Sequence, residues 1–158
     1  MNNINFARNL VKGKIAETVF AQMLRETGEF TVLEFGYEKV IPELIQSGIS
    51  GEDEMIETLR TAPDFAVINH LTKEVRLIEV KYRKTIRTSD IAKLAKRMSE
   101  SWNPSYLFVA SESGFYFDDI AKIIENNGEI SLLVHPQIPS ALQSQYLKIL
   151  NDFEKGSA

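Results

Sequence analysis

The chain of 158 residues contains no cysteine. That excludes disulfides and thiolate metal centres, and it fits a cytoplasmic protein. The two histidines, His70 and His135, lie too far apart to match a zinc-ligand spacing. No run of roughly eighteen apolar residues occurs, so neither a membrane-spanning helix nor a membrane partner is expected. The opening MNNINFARNLVKGK has no apolar signal core, so no cleaved leader is expected. Internal repeats, linkers and low-complexity segments are also missing. Tryptophan occurs once, at Trp102, where core packing is the ordinary role and base stacking the alternative. What remains is a chain with 44% hydrophobic residues, enough for one core, and a single domain over residues 1–155 is expected.

The net charge of −4 argues against indiscriminate nucleic-acid binding, but the charge is unevenly distributed. Nine of the eighteen basic residues fall between Lys73 and Arg97, opposed there only by Glu74, Glu79 and Asp90. Such a segment suits a phosphate backbone. Arg83, Lys84, Arg87, Lys93 and Arg97, with Lys14 on the first helix, are the candidate nucleic-acid contacts. The alternative is a solvated face, and it is strongest for Lys93, Lys96 and Arg97.

Residues 62–84 read as a β-hairpin. Asp64 to Ile68 and Val75 to Tyr82 are β-rich, and turn-forming residues lie between them. Side chains alternate along a strand, so Glu79 and Lys81 share one face while Ile78, Val80 and Tyr82 share the other. A turn centred near Leu71-Thr72 places Asp64 opposite Glu79, with Cβ atoms about 5 Å apart. A one-residue change in the loop would send Asp64 to the wrong face. Two carboxyls that close repel unless a proton or cation lies between them, so removing either is expected to relieve strain in metal-free protein. A hard divalent ion satisfies both through oxygen ligands.

Pro63-Asp64, a gap of fourteen residues and Glu79-Val80-Lys81 together resemble the PD-(D/E)xK motif of the restriction-endonuclease-like nucleases. The resemblance implies an α/β fold with the core order α-β-β-β-α-β, a mixed sheet flanked by helices and extra C-terminal strand and helices. It implies Asp64 and Glu79 as ligands of Mg²⁺ or Mn²⁺ and Lys81 as the catalytic lysine. Many members add a glutamate from the first helix, directly or through water. Gly13-Lys14-Ile15-Ala16-Glu17 looks like that element, which makes Glu17 the third candidate acid. The alternative is an ordinary glutamate at the border of an apolar stripe. Among the branches, the Holliday-junction resolvases and small defence or repair nucleases are most similar.

The rest of the chain fits that order. Residues 6–27 read as a helix with Leu10, Ile15, Val19, Phe20, Met23 and Leu24 on its apolar side. Phe30 to Tyr37 reads as a strand. Residues 38–61 form an insertion with two short helices, a candidate flap or oligomer contact, and a homodimer stays open. Thr88-Ser89-Asp90 is expected to cap a helix running to Trp102, and Ser105 to Ala110 is a buried strand. Phe117 to Asn127 reads as a helix, Ile130 to Val134 as a fifth strand and Ser140 to Phe153 as the last helix. The function expected is metal-dependent hydrolysis of DNA phosphodiesters. Two other readings fit: an inactive nuclease fold that binds nucleic acid or protein, and an ion pair on an edge strand with no function.

Overall fold

The structure, a computed structural model, describes residues 3–36, 58 and 61–156. Its elements are α1 (Asn3–Glu26), β1 (Phe30–Glu34), β2 (Phe65–Asn69), β3 (Val75–Tyr82), α2 (Thr88–Ser99), β4 (Tyr106–Ser111), β5 (Gly114–Asp119), α3 (Ile120–Glu125) and α4 (Ser140–Gly156). The helices expected within 38–60 lie outside the described residues. The strands form one mixed five-stranded sheet in the order β1-β2-β3-β4-β5. Only β3 and β4 run parallel, and α2 makes the crossover between them. No helix among the described residues is long and apolar enough to cross a membrane.

Alternation along the strands divides the core. Ile78, Val80 and Phe108 face α1, where Ala16, Val19, Phe20, Met23 and Leu24 are buried, and Leu150 of α4 closes the same layer. Leu107 and Val109 face the opposite way, onto Ile91, Ala95 and Met98 of α2 and Ile120 and Ile123 of α3. Phe20 anchors the first layer, with its ring 4.8 Å from Phe108 and 5.3 Å from Phe65. The apolar stripe of α1 is confined to its second half. Leu10, assigned to it from the sequence, is 57% exposed.

The β2–β3 hairpin follows from its turn. Asn69 Oδ1 accepts from the amides of Leu71 (2.9 Å) and Thr72 (3.3 Å), and Lys73 takes the left-handed conformation at φ 67°. The ladder pairs Phe65 with Ile78, so one step outward Asp64 faces Glu79.

The chain after β4 differs from its sequence reading. Residues read as the start of a helix form β5, because Glu112 and Ser113 make a tight turn and Gly114, at φ 150°, adopts a conformation that side chains rarely take. Phe115 and Phe117 alternate with Tyr116 at the strand period. Helix begins only at Ile120, where Asp119 Oδ1 accepts from the Ala121 amide at 2.8 Å. The expected fifth strand at 130–134 is reduced to a single bridge, Leu132 to Tyr116, beside β5. The expected cap of α2 also differs. Arg87 occupies the N-cap without a side-chain bond, and Asp90, in the first turn, pairs with Arg83.

Candidate active site

The site lies at the end of the hairpin where β2 stops and β3 continues. Beyond Ile78, β3 has a strand neighbour only on its β4 side. Asp64 takes the place of the missing strand. Its Oδ2 accepts the Val80 amide at 2.8 Å, while its carbonyl accepts the amides of Phe35 (2.9 Å) and Gly36 (3.2 Å). Both ends of Asp64 are therefore fixed, one by β3 and one by the chain leaving β1.

Glu79 and Lys81 pair in register with Leu107 and Val109, which places them on the face that α2 covers further along the sheet. β3 is third of five strands, but Glu79 and Lys81 lie beyond the part that β2 pairs, so the edge-strand ion pair stands as the alternative account of these charges. The Lys81 ammonium lies 3.6 Å from Glu79 Oε2, and the Glu79 side chain is only 17% exposed. Burial first and the neighbouring Asp64 carboxyl second push the Glu79 carboxyl up to about 8, against the opposing pull of Lys81. Asp64 and Glu79 are thus cross-strand neighbours with Lys81 beside Glu79.

A cavity of about 530 Å³ opens beside Asp64 and Lys81, walled by Asp64, Val80, Lys81 and Tyr82 on the hairpin side and by Asn9, Lys12, Gly13 and Glu17 on α1, while the Glu79 side chain, 17% exposed, lies behind this wall and does not line it. Arg83 and Lys84 extend the β3 wall. Glu17 therefore faces the cavity across from Asp64, and Lys14 Nζ lies 3.8 Å from its Oε2. Among the described residues no group of three or more histidines, aspartates or glutamates is arranged to hold a metal ion. Asp64 and Glu79 are the acids that would hold a divalent ion: burial first and the neighbouring Asp64 second favour a proton on Glu79, and a cation between the two carboxyls would take that proton's place.

The basic segment divides among several places. Lys73 is in the hairpin turn, and the Arg76 guanidinium lies 4.5 Å from the Tyr106 ring centre and 3.2 Å from Glu74, toward the far end of β3. Arg83 and Lys84 reach the cavity, with Arg83 Nε held by Asp90 Oδ2 at 2.6 Å. Arg87, Lys93 and Arg97 are exposed and do not line it. Lys14 borders a different, apolar groove with Leu10, Ile15 and Phe153. Trp102 packs against Phe35 and donates to the Thr58 carbonyl at 2.9 Å, which supports its core role.

Three cavity neighbours escaped the sequence reading. Lys12 Nζ lies 3.1 Å from Glu154 Oε1 on α4 and 5.6 Å above the Tyr82 ring, and the Tyr82 hydroxyl donates to the other Glu154 oxygen. Burial raises Tyr82, and Glu154 adds to the rise. Burial would raise Glu154 as well, but the Tyr82 hydroxyl and Lys12 ammonium together hold it below the ordinary carboxylate value. The spacing of Asn9, Gly13 and Glu17 at successive helical turns was the available signal for this wall of α1. Nothing in the sequence pointed to Glu154. No family model and no curated protein matches this chain.

Proposed function

We propose that this chain is a metal-dependent nuclease with a restriction-endonuclease-like core that hydrolyses DNA phosphodiesters. The observation that carries the reading is the carboxyl pair of Asp64 and Glu79 beside Lys81, at the end of β3 that β2 leaves unpaired, with Asp64 and Lys81 lining a cavity that also holds Lys12, Arg83 and Lys84. A Mg²⁺ or Mn²⁺ ion held by Asp64 and Glu79 would supply Lewis acidity and a more acidic bound water. Asp64, fixed by three backbone amides, presents its remaining carboxylate capacity in a set direction. Glu79 must first lose its proton, which Lys81 favours by placing a positive charge beside it. Lys81 then stabilises negative charge developing on the phosphate, as a point charge at close range. Glu17 orients water from the opposite wall, and Arg83 and Lys84 take phosphates of the flanking backbone.

The element order α1-β1-β2-β3-α2-β4 supports the family reading, and the burial of the Glu79 side chain supports a functional reason for its charge. A second reading, an inactive scaffold that binds nucleic acid, takes support from the strong hold of Glu79 on its proton, which competes with metal. The experiment that separates them incubates single-stranded, duplex, flap and four-way-junction DNA with each metal and measures binding and cleavage together. Cleavage that depends on metal and on Lys81 supports the nuclease. Tight binding without cleavage supports the scaffold.

A further inference from the structure

Gly13 sits in the interior of a 24-residue helix, where glycine is disfavoured relative to alanine. Its conformation does not require glycine, because its φ is not in the positive region that the other glycines Gly28, Gly114 and Gly128 occupy. Packing does not require it either: a Cβ added there meets no atom within 4 Å. What the missing side chain borders is the cavity, whose α1 wall Gly13 shares with Asn9 one turn before and Glu17 one turn after. The neighbouring Lys12 is held in that wall by Glu154 and Tyr82. Lys84 stands in the β3 wall of the same cavity.

We propose that Gly13 is the passage for the substrate strand: its missing side chain lets a phosphodiester backbone lie against α1, between the cations of Lys12 and Lys84, and so reach Asp64 and Lys81. A nucleic-acid backbone is narrow and polyanionic, which suits a bare helix surface in a cavity where Lys12, Lys81, Arg83 and Lys84 outnumber Glu17 and Asp64. This rests on the nuclease reading for the identity of the strand, while the slot itself rests on Gly13 alone.

The test compares wild type with Gly13→Ala and Gly13→Leu, using fluorescence anisotropy with fluorescein-labelled duplex and single-stranded DNA, a cleavage assay, Mn²⁺ binding followed by electron paramagnetic resonance, and thermal melting. Both variants should fold, with Gly13→Ala melting about 2 °C higher as helix propensity improves. Gly13→Leu should weaken DNA binding on the order of tenfold by occupying the slot, with Gly13→Ala intermediate, and Mn²⁺ binding should not change. A Gly13→Leu protein that binds DNA as tightly as wild type overturns the proposal, whether or not either protein cuts. Wild type that binds Mn²⁺ but no DNA also overturns it and leaves the metal site standing. Weakened binding by Gly13→Leu in a protein that cuts nothing upholds the slot and overturns the nuclease.

Discussion

Replacing Glu79 by Gln should remove most of the pH dependence of stability that the site imposes on metal-free protein. The Glu79 carboxyl rises from 4.5 to about 8 on folding, through burial first and Asp64 second. A carboxyl raised in this way binds its proton more tightly in the native state. Between the two values the native state holds more protons than the unfolded chain, so stability falls as pH rises. From pH 5 to pH 8 the ideal loss is about 3 kcal/mol for this one group, equivalent to roughly 6–12 °C in Tm for a chain of this size. Gln retains the shape and the neutral state, so Glu79→Gln should melt close to wild type at pH 5 and well above it at pH 8. Saturating Mn²⁺ should reverse the trend for wild type by replacing the proton, and should do little for the variant. Thermal melts followed by circular dichroism in EDTA at several pH values decide it. A wild-type-minus-variant difference that stays constant from pH 5 to pH 8 refutes the reasoning.

Asp64 should behave differently from Glu79, because its Oδ2 satisfies the Val80 amide. At pH 5, where Glu79 is neutral, Asp64→Ala should cost about 1–3 kcal/mol for the amide left without its partner, and Asp64→Asn much less; denaturant melts check both. Relief of repulsion is therefore expected from loss of Glu79 and not from loss of Asp64. Arg83→Ala with Lys84→Ala should weaken DNA binding and lower its salt slope by about two, one per phosphate contact, as read by anisotropy against salt concentration. Arg87→Ala, outside the cavity, should change the slope less. Gly128→Ala should destabilise the fold by more than about 2 kcal/mol in urea unfolding, since its Cβ would fall 2.0 Å from the Thr88 carbonyl oxygen at a backbone φ of +96°.

The hairpin was legible because its information is local. Two β-rich runs, a turn at Asn69 and a strand period of two are enough to set Asp64 across from Glu79, and the observed ladder has that register. The crossover from β3 through α2 to β4 was legible for a similar reason, with an apolar helical stripe followed by a strand buried on both faces. The β4–β5 turn was not, because Glu112-Ser113-Gly114 carries a weak turn signal and the following FYFDD suits helix start or strand equally by composition. Neighbouring β4 decides it by offering an open edge. The basic segment misled in its extent, since proximity in sequence says nothing about which end of β3 a cation occupies: Arg76 and Arg83 lie on either side of the strand's centre. The Lys12–Tyr82–Glu154 cluster was beyond sequence reasoning. Lys12 and Glu154 are 142 residues apart, and only the docking of α4 beside α1 brings them together.

The central claim is that Asp64, Glu79 and Lys81 form one hydrolytic centre, and its most direct test is single-turnover cleavage of end-labelled DNA by wild type and Lys81→Ala in Mg²⁺, Mn²⁺, Ca²⁺ or EDTA. The account predicts cutting by wild type in Mg²⁺ and Mn²⁺, little in Ca²⁺, whose looser coordination positions water poorly, and none in EDTA. Lys81→Ala should lose the cutting while keeping its melting temperature and nearly all of its DNA affinity. Wild-type cleavage that is no faster than that of Lys81→Ala, or that continues unchanged in EDTA, would contradict it.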